Sequence, residues 1–357
     1  MNNNLATILA SRPDPLAVLA TTARVVEHAR FVRINPREIE RAADTLAQNQ
    51  VAPPAWNYEL HYHDGTARTV NYLFLLDALN FCFWGKPKWR IEYRGKTLDG
   101  YWALAASLKR AAETNSDFLD AEFLAQITPQ QLADALRGTG VIPLFAERWR
   151  SARELGTTLK NLWNGQAARL VECADRDAAR LARMIVENLA SFNDIAVYEL
   201  IDAATRRRGD TATFTASPRR RVAASNYQEV RLFKRAQILV TDLWGAFGGK
   251  DLGAFENVAA LTAFADYKLP QILRAWKILE YTPALAKRVD AQIELGAGSR
   301  EEVEIRAAML WAVEFLRDAL ARRGRALMSI QVDWILWEAS QSLEEMKPYH
   351  RVRTIYY

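Results

Sequence analysis

The chain has 357 residues, 50% hydrophobic and 25% charged, with a formal net charge of +5. This composition excludes disordered and fibrous classes and fits one large globular domain or two ordinary ones. Two cysteines exclude a disulfide framework. The one close histidine pair, His61 and His63, has no third ligand nearby, so no metal or other cofactor is expected.

Arg12-Pro13 and Pro15 interrupt any signal-peptide core, and no apolar run reaches membrane-spanning length. The expectation is a cytoplasmic monomer, with no membrane and no stable nucleic-acid partner. Part of the positive charge lies in Arg206-Arg207-Arg208 and Arg219-Arg220-Arg221, which read as a solvated basic loop rather than a nucleic-acid footprint.

In chain order, residues 14–29 carry helical apolar spacing and 31–34 form a short extended run. Asn35-Pro36 opens a helix with a cap and a first-turn proline, and Pro53-Pro54 enforces an extended connection after it. The run 71–85 is almost uniformly apolar and predicts a central helix buried all round. Asp77 and Asn80 are its polar residues, and each must bond to backbone or face a pocket. Residues 89–98 alternate and turn at Arg94-Gly95, predicting a hairpin that feeds a helix from Tyr101. Thr128-Pro129 and Ile142-Pro143 open further helices, and two or three amphipathic helices fill 146–189, punctuated at Asn164-Gly165. Residues 200–228 are poor in core material and read as a flexible insertion. Helices are predicted over 230–244, from Arg300 through Leu320, and from Met328 through Glu338, with an aromatic extended tail over 350–357. The sum is a mainly α fold in a single helical domain over 1–357, with a small β-hairpin.

Standard catalytic motifs are absent: there is no Gly-rich phosphate loop, G-x-S-x-G, H-E-x-x-H or Cys-x-x-Cys. What remains is carboxylates in aromatic settings. Asp266 stands between Phe264 and Tyr267, beside Lys268 and ahead of Pro270, and reads equally as a helix cap or as a pocket carboxylate. Asp194 reads as a loop or cap residue. Asp333 and Glu338 sit in an apolar helix start, where an acid meets the helix dipole favourably. Lys234 lies one turn from Ile238 and points toward an apolar face, either snorkelling or serving a site.

Residues 233–245 (FKRAQILVTDLWG) and 264–271 (FADYKLPQ), with Leu79–Trp84, Gly95-Lys96-Thr97, Gly100-Tyr101-Trp102 and the Arg351–Tyr357 tail, resemble the queuosine salvage protein family. The likeness covers most of the chain from about residue 50, and several long motifs occur in the same order. It implies a helical fold similar to helix-hairpin-helix DNA glycosylases and release of queuine from queuosine 5′-phosphate. It implies that Asp266 is the carboxylate at the scissile N-glycosidic bond and Lys234 a catalytic residue of the same site. Phe264 would stack on the base, and Asp333, Trp334 and Glu338 would bind it, the acids facing its cationic arm. His61, Asp194 and Tyr267 are further substrate-binding residues on this reading. Two other classes stay open on the sequence: a helical glycosylase relative acting on tRNA or DNA, and a non-catalytic helical interaction protein.

Overall fold

The computed structural model describes residues 2–200, 226–343 and 345–357. It is mainly helical, with short two-stranded sheets. The insertion expected over 200–228 falls largely on 201–225, outside the described residues. Residues 227 and 228 belong to a strand: Tyr227–Arg231 pairs antiparallel with Ile195–Glu199. By its contacts the chain forms two compact units.

One unit comprises Met1–Pro54, Ile195–Leu232 and Ala259–Arg353. Its axis is the Arg300–Ala321 helix, capped by Ser299 and buried on nearly every side from Glu302 to Glu314. The Val18–Glu27, Pro36–Gln48 and Ser329–Ser342 helices pack on it. Asn35 caps the second of these, its side chain accepting a hydrogen bond from the Arg37 amide at 3.1 Å. The first starts later than its apolar spacing suggests, because Pro13 and Pro15 and a left-handed Ala17 (φ 55°) hold the preceding backbone out of the helix. The 31–34 run is strand Val32–Ile34, antiparallel to Leu279–Tyr281. The tail is extended where Arg351–Val352 lies parallel to Glu294–Leu295.

Buried Glu304 fixes the entry to the Val32–Ile34 strand. Its Oε2 accepts from the amides of Arg30 at 2.8 Å and Phe31 at 2.6 Å, and its Oε1 accepts from the Tyr198 hydroxyl at 2.9 Å.

The other unit comprises Ala55–Asp194, Phe233–Val258 and Thr354–Tyr357. Its centre is the Ala67–Ala78 helix, buried continuously from Thr69 onward, against which Phe145–Leu162, Ala167–Cys173 and Lys234–Ala246 pack. Arg90–Tyr93 and Lys96–Asp99 form the expected hairpin, with Arg94 and Gly95 both left-handed at φ 48° and 76°. Thr128 forms a full capping box with Gln131. Gly156, inside the Phe145–Leu162 helix, permits close packing on Ala121–Gln126: a Cβ there would stand 2.2 Å from the Ala125 amide nitrogen.

Two predicted helices are corrected. The 71–85 run is buried throughout most of its length, but its helix ends at Ala78. Arg235 Nη1 donates to the carbonyls of Asp77 at 2.9 Å and Ala78 at 2.8 Å, and Cys82 turns left-handed while its amide donates to Tyr357 O at 2.9 Å. The 230–244 helix begins only at Lys234, because Val230 and Arg231 are taken into a strand and Phe233 is left-handed at φ 46°.

Truncation of Glu304 leaves two amides without their acceptor and the Tyr198 hydroxyl with only the longer contact to the His28 carbonyl at 3.2 Å. Glu304→Ala is expected to lower the unfolding free energy by roughly 3 kcal/mol or more in urea titration, against a small change for exposed Glu338→Ala.

Candidate active-site residues

In the first unit Phe264 and Asp266, expected from sequence as site residues, share one loop that is held from two helices. Buried Asp333, in the second turn of the Ser329–Ser342 helix, accepts the Phe264 amide on Oδ2 at 2.8 Å. Arg306, 2% exposed on the Arg300–Ala321 helix, donates from Nε to the Ala265 carbonyl at 2.9 Å and from Nη1 to Glu302 at 3.4 Å. The peptide groups on either side of the 264–265 linkage are thus held from two helices, one by an anion on its amide and the other by a cation on its carbonyl. Such charge-assisted bonds are the strong ones.

Asp266 follows directly. Its Oδ1 accepts from the amides of Lys268 and Leu269, both at 2.9 Å. These amides open the Lys268–Ala275 helix, so the cap expected of Asp266 is realised by one oxygen, and the carboxylate's orientation is fixed at the positive end of that helix. Phe264 is buried, while Asp266 and Tyr267 are half-buried. The Tyr267 ring packs on Tyr349 with centroids 4.7 Å apart, and the Lys268 ammonium lies 5.7 Å from the Tyr349 ring.

The acids of the last helix differ. Asp333 is buried and bonded to backbone, whereas Glu338 is exposed and sits well past the helix start, so the dipole argument does not apply to it. Trp334 is half-buried on the same helix.

The second unit holds a buried polar cluster between its central helices. Lys234 is 6% exposed and so does not snorkel to water. The Lys234–Ala246 helix is led in by Asp194, whose Oδ2 lies 3.4 Å from the Lys234 amide that it accepts, and whose carbonyl accepts the Phe233 amide at 3.3 Å. Asp194 is therefore a cap placed from another segment. Asp77 and Asn80 bond each other rather than backbone: Asn80 Nδ2 donates to Asp77 Oδ1 at 3.1 Å. Arg235 is enclosed, its guanidinium 5.1 Å from the Phe81 ring and 4.6 Å from the Phe192 ring. Burial pulls it down to about 10, opposed by Asp194 and Asp77, so it stays charged.

Asp242, on the Lys234–Ala246 helix, lies 3.2 Å from the Tyr101 hydroxyl. That hydroxyl is 2.8 Å from His61 Nε2, and His61 Nδ1 is 2.7 Å from the Asn57 carbonyl. Trp56 stacks on the imidazole at 4.2 Å. Burial lowers His61 to about 4, with the Asn57 hydrogen bond opposing. Burial, then Asp77, pushes the Asp242 carboxyl well up. Burial raises Asp77 to about 7 despite the Asn80 bond and the Lys234 and Arg235 charges. His63 packs edge-on against Tyr58 and Phe247 instead of completing a ligand pair. Among the described residues no group of three His, Cys, Asp or Glu is arranged to hold a metal ion.

Of the residues expected from sequence, Phe264, Asp266, Tyr267, Asp333 and Trp334 fall on two neighbouring segments of one unit, and His61, Asp194 and Lys234 on the other. Arg306, Tyr101 and Asp242 were not singled out in the sequence. Asp242 alone is a polar residue in an apolar run, whereas Arg306 stands among Glu301, Glu302 and Glu304 and Tyr101 at a helix start.

A helical protein with orienting charges on a capped aspartate loop and a buried acid–base cluster belongs with enzymes rather than with packing modules. A profile described as queuosine salvage protein matches residues 60–208 and 219–357. The chain is 48% identical to a Sphaerobacter thermophilus protein over 98% of this chain and all of that one. It is 33% identical to a Mus musculus protein and 31% to a Dictyostelium discoideum protein, in each case over 96% of this chain and at least 99% of the relative. All three are named queuosine 5′-phosphate N-glycosylase/hydrolase. The chain belongs to the queuosine salvage protein family.

His350, buried beside Arg306, tests the packing around the loop. Burial and then the Arg306 charge lower its pKa from 6.5 to about 3. The unfolded chain takes up this proton first as pH falls, so stability present above 6.5 is lost toward 3. Between pH 7 and 5, wild type should lose about 2 kcal/mol more unfolding free energy than His350→Gln, read by urea titration.

Proposed function

We propose that this chain hydrolyses the N-glycosidic bond of queuosine 5′-phosphate, releasing queuine for reuse in tRNA modification. Full-length similarity to relatives of that name supports the reaction. The observation that carries the site reading is the pinned loop, in which Asp333, Arg306 and two helix amides together determine where the Asp266 carboxylate points.

Cleavage sends the bond's electron pair to the base and leaves an oxocarbenium-like sugar, which water then attacks. A fixed carboxylate beside the anomeric carbon opposes that charge and can accept the water's proton. Because its orienting bonds are already made, no reorganisation is needed at the transition state, and such preorganised charge contributes roughly 3–4 kcal/mol. We assign this role to Asp266. We assign Lys234 as the second catalytic residue, a cation suited to an anionic 5′-phosphate. Phe264 and Tyr267 offer stacking surface for the deazaguanine plane, at ~1–3 kcal/mol per stacked base. Asp333, Trp334 and Glu338 face the base and its cationic arm, and His61 and Asp194 complete the substrate contacts. The matched profile spans residues of both units, which supports one functional domain. For that domain we propose a fold akin to helix-hairpin-helix DNA glycosylases. A free nucleotide substrate calls for no membrane or stable nucleic-acid partner, and we place the activity in the cytoplasm, in a monomer.

Pure protein incubated with queuosine 5′-phosphate should release free queuine and ribose 5-phosphate, detected by mass spectrometry. Asp266→Asn, which keeps an oxygen for the two amides, should retain the fold and queuine binding while kcat falls at least about 10²-fold. Turnover close to wild type in that variant would remove Asp266 from catalysis, and absence of queuine with wild type would remove the reaction.

A further inference from the structure

The contacts from Asn57 to Asp242 fix where a proton must be. Three hydrogen-bond distances run in series: Asn57 O to His61 Nδ1 at 2.7 Å, His61 Nε2 to Tyr101 Oη at 2.8 Å, and Tyr101 Oη to Asp242 Oδ2 at 3.2 Å. Each contact needs one hydrogen. The Asn57 carbonyl only accepts, so His61 must carry its proton on Nδ1. A neutral imidazole then presents Nε2 as an acceptor, which takes the single phenolic hydrogen of Tyr101. The Tyr101 oxygen is left to accept, and the third hydrogen has to come from the Asp242 carboxyl. The alternative puts the extra proton on His61 as a cation opposite an Asp242 anion. Both groups are buried, at 2% and 5% exposure, and burial disfavours two charges relative to none.

We propose that Asp242 is a neutral carboxylic acid in the folded protein and that, with ionised Asp77, it forms a one-proton carboxylate pair that positions the Lys234 ammonium. The role given to Lys234 rests on the catalytic reading above; the proton count does not. The pair is asymmetric by construction. Asp242 ends the hydrogen-bond chain as its donor, while Asp77 accepts from the Asn80 amide on Oδ1. The titratable and charged groups facing Asp242 are Asp77 and Tyr72 from the Ala67–Ala78 helix, Tyr101 from the Gly100–Thr114 helix with His61 behind it, and Lys234 on its own helix. Arg235 also acts on Asp77 and completes its neutralisation. With Asp242 neutral, Asp77 is the carboxylate left to oppose the Lys234 charge. The sharing follows the rule for like carboxylates at one site, where one proton is retained.

Two measurements test this. Infrared spectra of the folded wild-type protein at neutral pH should contain the carbonyl stretch of a protonated carboxyl, lost in Asp242→Asn. In the hydrolysis assay Asp242→Ala should lower kcat at least about tenfold, and Asp242→Asn, which still donates to Tyr101, should recover most of that loss. Wild-type kcat should also fall on the alkaline side as the pair loses its proton, and this limb should be missing in Asp242→Asn. A merely structural Asp242 would leave the limb in place. The proposal is overturned if no protonated-carboxyl band is assignable to Asp242, or if the Asn variant is as impaired as the Ala variant. If wild type releases no queuine, the reaction is refuted, and the infrared band alone then decides the protonation.

Discussion

Arg235 takes the last two carbonyls of the Ala67–Ala78 helix, and the second unit is arranged around that contact. A buried guanidinium is tolerated only where its donors are satisfied. Here the acceptors are the main-chain oxygens that every helix leaves unpaired at its C-terminal end. The two requirements meet in one place: the helix stops, and the charge is accommodated. Stopping there brings Asp77 to the helix end and Asn80 into reach of it. It also releases the following apolar residues from the helix, and they are clasped a second time by Arg148, which donates to the Phe81 carbonyl.

The first unit solves the same problem with opposite signs. Asp333 and Glu304 are buried carboxylates that accept backbone amides, and Arg306 is a buried cation on a carbonyl. Apolar packing alone places a loop only loosely, because one register of contacts is nearly as good as another. Hydrogen bonds from buried charges penalise a small displacement heavily, since a moved peptide group leaves an ion unsatisfied. The loop holding Phe264 and Asp266 is therefore specified more tightly than its lack of regular structure suggests. That is the kind of support a catalytic group requires.

This pattern explains what could be read from the sequence. Features decided within a few residues were legible: the caps at Asn35-Pro36 and Thr128-Pro129, the Arg94-Gly95 turn, and the long apolar helices near the end of the chain. The end of the 67–78 helix was not, because the residue that terminates it is 157 positions away. Nor was the start at Lys234, which depends on a strand partner at 195–199 and on a left-handed Phe233. For the site, Lys234 was visible as a lysine on an apolar face, and Asp77 and Asn80 as polar intruders needing partners. That they partner each other, and that Asp242, Tyr101 and His61 form a chain, depends on helix packing that periodicity does not encode. Glu338 shows the reverse failure, an acid grouped with Asp333 by sequence and set apart from it by exposure.

The two readings of Asp266 were posed as rivals, and the geometry removes the rivalry. A carboxylate has two oxygens, and capping uses Oδ1. Accepting two amides fixes the carboxylate at the positive end of a helix, and a fixed carboxylate is what opposing an oxocarbenium-like sugar would demand. It also removes rotational freedom that a surface aspartate would lose on binding substrate. On this view Asn at 266 is the informative substitution, because it preserves the capping oxygen and deletes only the charge. Loss of turnover with a retained fold would then separate the two functions of one side chain, which no larger truncation could do.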